Sequence, residues 1–116
     1  KITATILHHM IVSITQIELN SYSKLLAFLK FNGQIIKELN QSKCIKYKLT
    51  PNWNLKIWYT MTLWENEHQI NEFYQNGTHL EAMKQSKTFS SNIHSLRIHT
   101  EDLISWKEAK LKFENK

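Results

Sequence analysis

The stretch Leu55-Lys56-Ile57-Trp58-Tyr59-Thr60-Met61-Thr62-Leu63-Trp64 decides the fold. Side chains alternate across a strand with a period of two. Ile57, Tyr59, Met61 and Leu63 therefore share one face, and Trp58, Thr60, Thr62 and Trp64 the other. Aromatic and β-branched residues favour the extended backbone. Large apolar groups on both faces place this strand centrally, in a sheet covered on both sides. The segment from Ile2 to about Thr15 has the same two-sided character. There Ile6, His8, Met10, Val12 and Ile14 fall on one parity, and Leu7, His9 and Ile11 on the other. Upstream of residue 55, Cys44, Lys46 and Lys48 alternate strictly with Ile45, Tyr47 and Leu49, the pattern of a half-exposed strand. Thr50-Pro51-Asn52 turns the chain between the two. A fourth alternating segment runs from Asn92 to Thr100.

Between the strands the apolar period lengthens. Asn20 and Ser21 are good N-caps, and Tyr22, Leu25, Leu26, Leu29, Ile36 and Leu39 then recur at helical spacing. The pattern predicts a helix over 21–40. Gly33 inside it costs about 1 kcal/mol against alanine, which predicts a bend or a close packing contact. A second helix is expected from about Asn66, with Glu67 in its first turn and Ile70, Phe73 and Tyr74 facing inward. Asn76-Gly77 ends it, and Thr78 caps a short helix carrying His79, Leu80 and Met83. Asp102 is expected to cap a C-terminal helix striped by Leu103, Trp106 and Phe113. The order is β-α-β-β-α-β with an extra C-terminal helix, the ferredoxin-like arrangement: α+β, an antiparallel sheet, helices on one face. One apolar face of the central strand is then left without a cover. A bound ligand or a second copy must supply it, and a homodimer in which two sheets meet is the simpler solution.

Composition narrows the function classes. At 116 residues the chain is expected to form one domain, residues 1–116, since a domain takes roughly 100–200 residues. A hydrophobic fraction of 41% with 22% charged residues is ordinary globular usage. The apolar runs are far shorter than the ~18 residues needed to span a bilayer, and the first ten residues lack a signal-peptide pattern. A single cysteine, Cys44, excludes a disulfide within the chain and fits a reducing compartment. A cytoplasmic protein with no membrane partner is expected. The net charge of +5 is local: six lysines stand between Lys30 and Lys56 against Glu38 alone, and the remaining charges cancel. Such a cluster can attract phosphates, but a solvated face or a protected strand edge is the commoner outcome.

Thr60-Met61-Thr62-Leu63-Trp64-Glu65-Asn66-Glu67, then Phe73, then Gly77-Thr78-His79-Leu80-Glu81-Ala82-Met83 form a sharper pattern. It resembles the strand–helix signature of the dimeric α/β-barrel superfamily, which includes the antibiotic-biosynthesis monooxygenases and small spheroidene-monooxygenase-like proteins. Trp106-Lys107-Glu108-Ala109 is similar to the closing segment of that family. The resemblance implies a dimeric α/β barrel whose relatives oxidise aromatic molecules without a cofactor, or bind or degrade haem. A haem-degrading branch has a tryptophan where this chain has Phe73 and a haem-ligating histidine where it has Met83, so that mechanism is not expected here.

Fold alone does not give function, which has to be argued from the site. His79 is the first candidate catalytic residue, because imidazole near a pocket rim can act as a general base or ligate haem iron. A capping histidine that fixes the 76–80 turn is the alternative. Tyr59, Trp64, Phe73 and Met83 are the candidate ligand-binding residues for a flat hydrophobic or aromatic molecule, against ordinary core packing as the alternative. Trp58 and Met61 belong to the same apolar set. No metal site is expected. His8 and His9 point to opposite faces, as do His94 and His99, and His68 with Glu72 at i, i+4 is more often an exposed pair. Cys44 is expected to be a buried or edge thiol rather than a nucleophile. The leading reading is a monooxygenase-like protein, with haem or with no cofactor. A non-catalytic small-ligand-binding module is the alternative. Nucleic acid is not expected, because Tyr47, Trp58, Tyr59, Lys46 and Lys48 occur without the aromatic signature of RNA-recognition domains.

Overall fold

The computed structural model describes residues 10–75 and 90–114. The start of the first expected strand, with His8 and His9, lies outside them, as do the 78–83 segment and its His79 and Met83. The elements are β1 (Met10–Leu19), a 3-10 turn (Tyr22–Lys24), α1 (Leu25–Asn40), β2 (Lys46–Pro51) and β3 (Ile57–Trp64). They continue with α2 (Glu67–Gln75), β4 (Ser90–Thr100) and α3 (Trp106–Glu114). The sheet order is β2-β3-β1-β4, and every neighbouring pair is antiparallel. This is the ferredoxin-like α+β arrangement expected from the sequence.

β1 and β3 are central and pair in the register Ser13↔Thr62, Ile14↔Met61 and Thr15↔Thr60. One face of the sheet, with Ile11, Ile17, Leu19 and Trp64, packs against Phe28, Phe31, Ile35 and Leu39 of α1 and Ile70 of α2. The other, with Val12, Ile14, Met61 and Leu63, packs against Ala109 and partly buried Leu103, Ile104, Trp106 and Phe113. This corrects one expectation: helices do not lie on one face alone, because α3 covers the second. Trp106, Ala109 and Phe113 fall on one side of α3 at spacings of three and four. The fully buried methyl group of Ala109 lets that helix lie close to the sheet. The cover that pointed to a partner is thus supplied within the chain.

Three local expectations also change. Phe28, Phe31, Ile35 and Leu39 form the buried stripe of α1, while Leu26 and Leu29 point outward. Two apolar stripes overlap on this helix, and the one carrying the phenylalanines removes more area from water. Ser21 makes no side-chain capping bond; its Oγ instead hydrogen-bonds Ser23 Oγ at 2.7 Å. At α3 the cap is Ser105, whose Oγ accepts from Glu108 N at 3.1 Å. Asp102 accepts from Leu103 N at 2.7 Å and pairs with Lys46 Nζ at 3.1 Å. The Leu103 N–H and then the Lys46 ammonium hold its carboxyl below the usual carboxylate range. That exposed pair ties edge strand β2 to the start of α3. Arg97 Nη1 joins β4 to α2 through Glu67 at 2.7 Å and Asn71 at 3.2 Å.

Gly33 makes neither expected close contact nor a left-handed turn. A Cβ placed there meets nothing within 4 Å, and no described glycine has positive φ. Gly33→Ala should therefore stabilise the fold by about 0.5–1 kcal/mol through helix propensity and a less flexible unfolded chain. Urea unfolding should show the midpoint rise with an unchanged slope; a lower midpoint would contradict the open environment of this position.

Candidate functional site

The helix-side parity of β3 builds a cavity beneath α1 and α2. Thr60, Thr62 and Trp64 from β3 and Thr15 and Ile17 from β1 form its floor. Phe31, Asn32, Ile35 and Leu39 of α1 and Phe73 and Tyr74 of α2 complete it. Its volume is about 60 Å³. Trp64 and Phe73 stack at a tilt, with ring centroids 5.4 Å apart, and Phe73 meets Tyr74 edge-on at 5.7 Å. Beyond the Trp64–Phe73 pair opens a polar cleft of about 400 Å³, which Glu38, Gln41, Ser42, Lys43, Gln69 and Glu72 also line. The two rings are therefore the partition between an apolar interior and a wet rim.

Hydrogen bonds fix that partition. Trp64 Nε1 donates to Thr62 Oγ1 at 2.8 Å, and Thr62 Oγ1 donates to the Ser13 carbonyl at 3.3 Å. Ser13 Oγ lies 3.3 Å from Tyr74 OH. One relay of polar groups thus spans β3, β1 and α2. The hydroxyl-bearing Thr15 and Thr60 sit directly opposite each other in the ladder, on the cavity floor.

The structure brings together some of the expected site residues and separates others. Trp64 and Phe73 meet. Tyr59 does not join them, because it is five positions from Trp64 and an odd separation puts it on the other face. Its ring lies 6.3 Å from that of Trp106 and 5.9 Å from that of Phe113, and its hydroxyl accepts from Gln16 Nε2 at 3.0 Å. Trp58 packs on Phe28 in the helix-side core with centroids 5.0 Å apart, and Met61 is buried beneath α3. His79 and Met83 lie outside the described residues. Thr15, Asn32, Thr60 and Tyr74 are not among the site residues expected from the sequence. The Thr60-x-Thr62-x-Trp64 alternation carried the signal for one of them. The facing Thr15 becomes visible only once the β1–β3 register is known.

No protein-family profile matches the sequence, and no curated protein is similar to it. Solved structures do match in shape. A candidate antibiotic-biosynthesis monooxygenase from Deinococcus radiodurans superimposes with a TM-score of 0.72 at 11% identity, covering 82% of this chain and 96% of its own. A conserved protein from Methanosarcina mazei gives 0.73 at 13% identity, over 86% and 99%. SnoaB, a cofactor-independent oxygenase from Streptomyces nogalater, gives 0.71 at 5% identity, over 83% and 97%. The chain shares the fold of these structures. At these identities the likeness concerns backbone shape, so the chemistry rests on the side chains present.

Haem iron finds no ligand among the described residues at this site. Neither the cavity nor the cleft has a histidine, cysteine or methionine on its described lining to ligate iron. The 60 Å³ interior is far below the ~300 Å³ of a typical small-molecule pocket, so a ring-sized ligand has to extend into the cleft. No group of three metal-ligating side chains occurs among the described residues. His68 Nε2 stands 3.8 Å from Glu72 Oε2 as an exposed pair. Cys44 is half-buried, its Sγ donates to the Lys46 carbonyl at 3.1 Å, and burial pushes its thiol up from the usual range. The aromatic platform imagined for RNA is split between faces: Tyr47 and Trp58 lie on the helix side. Lys48, over the Trp106 ring at 5.0 Å, and Tyr59 lie beneath α3.

Thr62 is the keystone of the partition. Thr62→Val keeps the shape but leaves the buried Trp64 Nε1 without its acceptor and Ser13 O without that donor. Unsatisfied buried groups cost about 1–3 kcal/mol each. The variant should lose stability on that scale and show altered near-ultraviolet dichroism from Trp64, whereas Thr50→Val on β2 should do neither. Equal stability for wild type and Thr62→Val would break the relay argument.

Proposed function

We propose that this chain is a monooxygenase-like protein that binds a small, flat hydrophobic or aromatic molecule across the cavity and the adjoining cleft, between sheet and helices, and oxidises it with dioxygen. One observation carries the reading: an apolar cavity on the helix side of the sheet, walled by Trp64, Phe73 and Tyr74 and floored by the paired threonines Thr15 and Thr60. The aromatic wall suits a planar ring system, and the hydroxyls can orient a carbonyl or phenol on it. That one solved structure of this fold is a cofactor-independent oxygenase supports the oxidative part. In this reading His79 is the acid/base group, Met83 completes the pocket, and Tyr59 has no part in it.

An activated ring methylene suits such a site, because it needs no external reductant. A base removes one proton, and the resulting carbanion supplies electrons to dioxygen. One oxygen atom then remains as a carbonyl, and the other leaves as water with the two methylene hydrogens. Thr15 and Thr60 would hold the substrate oxygen as charge spreads onto it. A homodimer remains part of this reading on the strength of the resemblance, since α3 already covers the sheet face that argued for it.

A specific observation favours a second reading, a non-catalytic binding module. The cavity is small, and its described lining holds no histidine, cysteine or carboxylate. Anthrone separates the two readings, because its oxidation to anthraquinone consumes one dioxygen and releases one water. Quenching of tryptophan fluorescence should report binding, and an oxygen electrode should show uptake equal to the quinone formed. His79→Ala should retain quenching and lower the rate by about 10²-fold, the usual contribution of a general base. Quenching without uptake in the wild type would select the binding module, and neither signal would remove both readings for this ligand class. Sedimentation equilibrium should give twice the 13.8 kDa chain mass, and a monomer at micromolar concentration would remove the dimer.

A further inference from the structure

Large apolar side chains crowd the surface at one end of the molecule, where α1 begins and β2 turns into β3. Trp53 is 93% exposed, Leu26 77%, Tyr22 58% and Leu55 42%. Single exposed hydrophobes are ordinary, but a group of them marks an interaction surface. Contacts join the two segments into one structural end. Leu19 N donates to the Lys56 carbonyl at 2.8 Å, and Lys56 Nζ lies 5.8 Å from the centre of the Tyr22 ring. Leu55 has a φ of 61°, a left-handed conformation that is costly for any residue with a side chain. The turn therefore presents its apolar residues outward at a conformational cost.

Positive charge predominates at this end. Lys24, Lys30 and Lys56 are there, and no aspartate or glutamate occurs between residues 19 and 37 or between 39 and 64. Glu18, just before the first of these stretches, is engaged by Asn92 Nδ2 at 3.2 Å. Lys30 follows Leu26 by four residues, so both stand on the outward side of α1.

We infer that this end adsorbs to an anionic lipid surface. Trp53 and Leu26 enter the boundary between headgroups and acyl chains, and Lys24, Lys30 and Lys56 face the acidic headgroups. Tryptophan and tyrosine favour that depth, and lysines extend flexible apolar stems toward charged headgroups. A residue as exposed as Trp53, at the tip of a turn, meets no matching pocket among the described residues. A fluid interface accepts it without one, whereas a rigid partner would need a complementary hole. No helix among the described residues is long and apolar enough to cross a membrane. That bears on spanning, and adsorption needs no such helix.

The test uses co-sedimentation of the whole chain with vesicles of phosphatidylcholine, alone or mixed with phosphatidylserine. Binding should appear with the mixed vesicles, fall as salt is raised, and be accompanied by a blue shift of tryptophan emission. Lys24→Gln and Lys56→Gln should each weaken it about fivefold, the effect of one basic residue near an anionic surface. Trp53→Ala and Leu26→Gln should abolish the shift or most of the binding while leaving the urea midpoint unchanged. Two such variants guard against a local folding defect in either. Equal binding to neutral vesicles, unchanged binding by both apolar variants, or no binding at low salt would each overturn the inference. Concentration-dependent self-association lost in Trp53→Ala, without vesicle binding, would assign the same end to a second copy instead.

Discussion

β1 and β3 are the two central strands, and both carry large apolar side chains on both faces, so the chain has to cover its sheet twice. Leaving Val12, Ile14, Met61 and Leu63 in water would forfeit about 1.5–3 kcal/mol for each. The helix-side face, with Ile17, Leu19 and Trp64, makes the same demand. α1 and α2 meet one requirement and α3 the other. The short α3 succeeds because its sheet-facing positions are Trp106, Ala109 and Phe113: two wide rings flank a methyl group small enough for close approach. The ring contacts from Tyr59 to Trp106 and Phe113 extend that cover toward the start of β3.

This constraint also explains what was legible in the sequence. The strands, their two-sidedness and the βαββαβ order follow from periodicity, which residue types report directly. Which helix meets which face does not follow from it. The stripe Leu103, Trp106, Phe113 was plain, but nothing local says that it folds over the sheet rather than away from it. Within α1 two apolar stripes compete, and Phe28 and Phe31 prevail over Leu26 and Leu29 through contacts with Trp58 and the cavity wall that lie far away in sequence. Capping departs from the sequence pattern for a similar reason. Asp102 has the chemistry of an N-cap, but its carboxylate is drawn to Lys46 on another element, and Ser105 takes the capping role.

The site illustrates the same division. Trp64 and Phe73 were identifiable as partners because both lie in one local strand–helix unit. Tyr59 was grouped with them by residue type, although the alternation that defines β3 places it on the opposite face. Thr15 joins Thr60 through an inter-strand register that spans all of α1 and β2. Thr62 looks like one more β-branched residue in the sequence. In the fold its hydroxyl is both acceptor for Trp64 and donor to Ser13, so the orientation of an aromatic wall depends on one oxygen atom.

α1 connects the cavity with the apolar, basic end. Its inward side, Phe31 and Ile35, lines the cavity, while its outward side carries Leu26 and Lys30. A helix with its side chains is roughly 10–12 Å across, so an interface touching the outward side would lie about that far from the cavity. A hydrophobic molecule of the kind the cavity suits is itself concentrated in lipid by the same transfer free energy that buries Phe31. Adsorption through this end would bring the chain to where such a molecule resides. The outward leucine and the inward phenylalanine would then serve one ligand by one physical force, separated by a single helix.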